Sequence, residues 1–227
     1  MNYDGVISRL QAKSNLKGAA QASRAAITPR SQFLGVPVPE IRTLAKEIKR
    51  DHTLALRLWD SGIHEARILA TMIADPKLVT PDLMETWAQS FDSWDVCDQC
   101  CGNLFDKTPF AYDKALAWTA RDEEFVKRAG FALIAYIAVH DKKAPDEKIL
   151  PFLDPIRREA DDQRNFVKKA VNWALRQIGK RNAILNQRAI ETAEQIQQSA
   201  RTPSARWIAS DALRELTSDA VQGRLKK

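Results

Sequence analysis

Glycine is scarce in this chain, with 8 in 227 residues, and cysteine scarcer still, with 3. So few glycines, without a Gly-rich phosphate loop among them, exclude the nucleotide-binding cradles built on such loops. Runs of β-branched residues are also few, which argues against a sheet. The cysteines, Cys97, Cys100 and Cys101, crowd into one segment. An odd, clustered count excludes a disulfide framework and fits a reducing cytoplasm. Histidine occurs at 52, 64 and 140 only, with no ligand spacing to the Cys-x-x-Cys pair, so the thiols read as small buried side chains and no metal site is expected. No apolar run approaches a membrane span. The start, Met1-Asn2-Tyr3-Asp4-Gly5, lacks the charged and apolar regions of a signal peptide, so a cytoplasmic protein without membrane contact is expected. No nucleophile triad stands out.

What is present is helical. Apolar residues make up 44% and charged residues 28% of the chain, the balance of a folded rather than a disordered protein. From Phe125 to Val139 one stripe holds Ala129, Ala132, Leu133, Tyr136 and Ile137, and the opposite side is apolar too, so this helix is expected to be packed on both faces. Phe125-Val126-Lys127-Arg128-Ala129 recurs as Phe166-Val167-Lys168-Lys169-Ala170 after 41 residues, and Ala174-Leu175-Arg176-Gln177-Ile178 as Ala212-Leu213-Arg214-Glu215-Leu216 after 38. Periods near 40 with two helices each mark stacked helix-pair repeats. The net charge of +6 and pI near 9.3 are compatible with a polyanionic partner. The expected fold is therefore all-α, a HEAT- or armadillo-like α-solenoid with a concave basic groove, forming one domain over 1–227. Phe33-Leu34-Gly35-Val36-Pro37-Val38-Pro39-Glu40 reads as an extended apolar turn capping the first repeat, with no chemical reading of its own. Trp59, Trp87, Trp118 and Trp207 read as core.

Three groups of residues carry possible chemistry. Asp98 stands four residues after Trp94, on the same side of a helical wheel as Cys101 and Phe105, while Asp95, Gln99 and Asp106 point elsewhere. A carboxylate in an apolar, aromatic setting is costly to bury and so has a partner or a task; a capping or ion-paired aspartate is the bland alternative. In the helix expected from Asn165 to Arg181, Trp173 lies about 110° from the centre of the buried stripe, on the side of Lys169, Arg176 and Lys180. Such a cluster suits a sugar–phosphate backbone, or else Trp173 packs on a neighbouring repeat and the cations are solvated. Arg128, on a nearly all-apolar helix, can hold a phosphate or pair with a buried carboxylate such as Asp98.

With those residues in view, the chain resembles the AlkD-type DNA alkylation repair proteins, the HEAT-like-repeat alkylpurine DNA glycosylases. The resemblance runs from Phe33-Leu34-Gly35-Val36 to Trp173-Ala174-Leu175-Arg176, and its most specific parts are Trp94-Asp95-x-x-Asp98, Val126-x-Arg128-Ala129 and Lys169-Ala170-x-x-Trp173. It implies Asp98 as the catalytic carboxylate, Trp94 and Trp173 as the aromatic pair on the damaged nucleotide's backbone, and Arg128 as a DNA-contacting arginine; Lys169, Arg176 and Lys180 are candidate phosphate contacts from the helical wheel alone. Two departures stand out. Relatives often carry a tyrosine where this chain reads Arg24-Ala25-Ala26-Ile27, and a tryptophan just ahead of the arginine where this chain has Phe125.

The resemblance further implies excision of the cationic purines N3-methyladenine and N7-methylguanine from double-stranded DNA, with the lesion left stacked rather than flipped. No metal or cofactor, no obligate protein partner and a monomeric state are expected. The alternative is a non-catalytic HEAT-like-repeat protein that binds unusual DNA structures; a third class is a protein-binding scaffold.

Overall fold

The computed structural model describes residues 1–15, 18 and 26–225, and the described residues form helices and turns. They divide into two compact units, Met1–Thr108 and Pro109–Lys227. An isolated parallel bridge joins Gln32 to Ile63. Among the described residues no helix is long and apolar enough to cross a membrane.

The first unit holds α1 (Tyr3–Ala12), α2 (Val38–Ile48), α3 (His52–Trp59), α4 (His64–Ile73), α5 (Pro81–Gln89) and α6 (Trp94–Asn103). Short polar residues set the starts. The Asp51 side chain accepts from Leu54 N at 2.9 Å and the Thr80 hydroxyl from Leu83 N at 3.1 Å, with Pro81 opening α5. Helices α2, α4 and α6 stack in a row, and α3 packs on α4. Trp59 and Trp87 stack face to face, their centroids 3.9 Å apart and nearly parallel, and both are core residues as the sequence suggests.

Helix α4 is buried on almost every side, including His64, Glu65 and Arg67. Each of these finds a partner, as buried charge requires. Glu65 accepts the N–H groups of Leu34 (3.0 Å), Gly35 (2.6 Å) and Val36 (3.2 Å). That carboxylate clamps the Phe33–Val36 turn, in which Gly35 takes φ +78°, a left-handed conformation that glycine adopts without steric cost. Arg67 donates to Asp92 Oδ1 at 2.9 Å and to Ser90 O at 2.8 Å, and covers the Trp59 ring at 4.5 Å. The other oxygen of Asp92 accepts from Arg30 N at 2.9 Å and Ser31 N at 3.2 Å. The apolar turn is thus a strap, tied down by acids from α4 and from the loop before α6.

The second unit holds α7 (Ala111–Thr119), α8 (Glu124–His140), α9 (Asp146–Ile149), α10 (Leu153–Arg158), α11 (Asn165–Gly179), α12 (Ala183–Ser199), α13 (Pro203–Leu216) and α14 (Asp219–Leu225). Here α8, α11 and α13 form the row, with α7 packed on α8 and α12 on α11 and α13. The sequence repeats fall on that row: the Phe-Val-Lys motifs open α8 and α11, and the Ala-Leu-Arg motifs end α11 and α13. Helix α8 is buried from Val126 to Ala135 without interruption, so both its faces are packed, as expected. A Cβ on Gly130 would stand 2.7 Å from Thr119 N and 2.9 Å from Trp118 C; this glycine lets α7 touch α8 backbone to backbone.

Two expectations are corrected. Helix α11 ends at Gly179, not Arg181, because Arg181 turns back to donate to Ala138 O at 3.0 Å and Ala144 O at 2.7 Å, satisfying carbonyls beyond the reach of the helical ladder. Trp207 is not core. It is 40% exposed, because Ala205, Ile208, Ala209 and Ala212 form the buried stripe of α13 and Trp207 lies off it, with Lys168 Nζ 5.8 Å from its ring.

Candidate catalytic and nucleic-acid-binding residues

Helix α6 carries the first group. Its buried stripe is Val96, Cys97, Cys100 and Cys101, all with no exposed surface. The three cysteines form no disulfide, and burial pushes the thiols of Cys100 and Cys101 well above their ordinary range, with neighbouring negative charge, Asp98's among it, adding to the effect on Cys101. Cys100 and Cys101 are protonated core side chains. Trp94 and Asp98 sit one turn apart at the edge of this stripe, and both are half-buried. The carboxylate is therefore neither sealed in the core nor fully in water.

The start of α6 is fixed by a pair that the sequence reading set aside. His64 Nε2 and Asp95 Oδ2 lie 2.8 Å apart, with His64 1% and Asp95 12% exposed. Burial alone would raise the pKa of Asp95; the hydrogen bond and charge of His64, with contributions from Ser93 and the Val96 N–H, outweigh it and hold the carboxyl below its usual range. At the other end, Asn103 Nδ2 donates to Thr71 Oγ1 and to Gln99 Oε1, both at 3.0 Å. Helix α6 is held to α4 at both ends, and that fixes the direction in which Trp94 and Asp98 leave it.

The second unit carries the other candidates. Arg128, in the first turns of α8, is buried and donates from Nη1 to Phe166 O at 2.7 Å, so one edge of its guanidinium is spent on joining α8 to α11. Lys127 beside it is also buried and pairs with Glu159 at 2.6 Å. Trp173 is half-buried and stands edge-on to Tyr136 of α8, centroids 5.0 Å apart at 83°, a favourable aromatic geometry. Of the cations around it, Lys169 is exposed. Arg176 is ion-paired with Glu215 and lies 3.7 Å from Asp211, and Lys180 Nζ reaches Glu215 Oε1 at 2.7 Å. Burial would raise the pKa of Glu215, but hydrogen bonds from Lys180 and Arg176 outweigh it and lower it. Arg176 and Lys180 are thus only partly exposed and each already has an acidic partner; they tie the end of α11 to α13, and a phosphate would have to compete with Glu215. Sequence reasoning missed this acid although it sits in the repeat echo Ala212-Leu213-Arg214-Glu215-Leu216.

Among the described residues no group of three or more His, Cys, Asp or Glu side chains is set to hold a metal ion. Of the segment that departs from the relatives' tyrosine, Arg24 and Ala25 lie outside the described residues, while Ala26 takes φ +57°.

Comparison with curated proteins gives no match. Among solved structures, a protein described as one of a new family related to the HEAT-like repeat DNA glycosylases, with affinity for branched DNA structures, aligns over 99% of this chain and 96% of its own, at TM-score 0.78 and 20% identity. That likeness shows the fold, all-α and of the HEAT-like repeat kind. A designed armadillo repeat protein in complex with a (KR)4 peptide aligns over 82% of this chain and 88% of its own at TM-score 0.40 and 14% identity, too slight a likeness to carry an argument. A family model described as DNA alkylation repair enzyme matches residues 6–216, and with nearly the whole chain covered, this protein belongs to the DNA alkylation repair enzyme family.

Proposed function

We propose that the protein is a DNA glycosylase that excises cationic alkylated purines, N3-methyladenine and N7-methylguanine, from double-stranded DNA. The observation that carries this reading is the half-exposed carboxylate of Asp98, one turn after a half-exposed tryptophan on α6, in a chain of the alkylation repair family. An alkylated purine already bears positive charge and departs as a neutral base, taking the electrons of the N-glycosidic bond. Little acid catalysis is needed. The charge then appears on the deoxyribose as an oxocarbenium ion, where an ionised Asp98 in a water-poor setting stabilises it and orients the water that adds to the anomeric carbon. The indole face of Trp94 attracts a cationic sugar, while Trp173, Arg128 and the exposed Lys169 are the contacts this reading assigns to the strand. In this reading the protein acts as a monomer, without a cofactor.

A second reading starts from the affinity for branched DNA of the protein with the similar fold: a non-catalytic binder of unusual DNA structures. Incubation with methylated duplex DNA separates the two. Free methylpurines, appearing at a rate well above spontaneous depurination, support the glycosylase. Methylated and plain duplex bound alike, branched DNA bound more tightly than either, and no base released would establish the binder instead.

A further inference from the structure

Between α2, α4 and α6 lies a cavity of about 240 Å3 lined by Arg42, Ala45, Lys46, Met72, Asn103 and Lys107. Three of the six are cations and none is an acid. Arg42 and Lys46 are exposed and stand four residues apart on α2, where like charges destabilise an isolated helix. The two acids of α2 do nothing to relieve them: Glu40 is taken by Lys13 at 2.6 Å and Glu47 by Arg9. A cation in the last turn of α2 offsets the helix dipole, but that accounts for one charge, not for three from two segments converging on one hollow. Lys107 Nζ donates to Asn103 O at 2.5 Å, which leaves two of its three N–H donors for another acceptor.

We infer that this hollow is a seat for a DNA backbone phosphate, formed by Arg42, Lys46 and Lys107. The chemistry asks for a compact anion accepting several charge-assisted hydrogen bonds, and a phosphodiester meets it. Asn103 is five residues beyond Asp98 on α6, about 7–8 Å along the axis, and the wheel turns it about 140° away, toward α4. The seat therefore holds a stretch of backbone other than the one at Asp98, and its contribution is affinity without sequence preference.

The inference rests on the reading that the protein works on DNA, but not on excision. The test is binding of a plain, labelled duplex across a series of salt concentrations, comparing wild type with the Arg42→Gln/Lys46→Gln double variant. A charge-matched control, Arg157→Gln/Arg188→Gln, removes exposed cations that pair with Asp154 and Glu191 on α10 and α12. The double variant is expected to lower the slope of log K against log [salt] by about 1, the change for one phosphate no longer neutralised, while the control keeps the wild-type slope. An unchanged slope, or the same loss in the control, overturns the seat. Wild-type binding without any release of methylpurine would sink the glycosylase reading alone; a wild type that fails to bind DNA would sink both.

Discussion

A carboxylate can be buried only where donors replace the water it loses, and Glu65 has three of them, all backbone N–H groups of the Leu34–Val36 turn. Glu65→Gln puts an amide where at least one of those donors needs an acceptor and removes the charge that strengthens all three. It is expected to cost about 2 kcal/mol, read as a shift in urea midpoint at unchanged m-value; a loss within error of zero would mean that the turn is held by packing alone. The Asp95–His64 pair makes a prediction with a sign. The carboxyl of Asp95 titrates below its reference value of 3.8, so the stability it brings is present above that value and is lost as pH falls through the lower folded pKa. Asp95→Asn should therefore be less stable than wild type at neutral pH, with the gap closing as the pH drops below about 4. A gap that stays constant with pH would contradict it. In the sequence, His64, Glu65 and Arg67 stand out as three ionisable groups in an otherwise apolar helix, a readable sign that each has a partner. The partners, about 30 residues away along the chain, could not be named from it.

Among elements, the repeats were the most legible feature, because stacked helices of one row need the same apolar register and so preserve it in the letters. The start of α8 and the start of α11 fall on matching motifs for that reason. Helical wheels gave the buried stripe of α11 nearly whole, although Asn172, which they would have left polar, is buried and donates to Asp211 at 2.7 Å. They failed where position depends on a neighbouring helix. Trp207 lies off the buried stripe of α13, and the pairing of Arg176 and Lys180 with Glu215 depends on how α11 meets α13. Gly130 shows the same dependence: nothing in the local sequence marks it, yet α7 approaches it closely enough to forbid a Cβ. Gly130→Ala is expected to cost about 1–3 kcal/mol through displacement of backbone, despite the better helix propensity of alanine. A variant with a higher melting temperature than wild type would show that α7 can move away freely.

For the whole molecule, composition and repeats reached the fold class and the motifs reached the family, because both are written in residue types at fixed spacings. The substrate is not written that way. It depends on which bond of a damaged nucleotide the protein acts on, and only chemistry on that nucleotide can decide it. The most direct measurement is the single-turnover rate of N7-methylguanine release from methylated duplex DNA by wild type and Asp98→Asn, with duplex affinity measured alongside. The account predicts a rate lowered by about 100-fold or more with affinity little changed. Release by Asp98→Asn at the wild-type rate would contradict it.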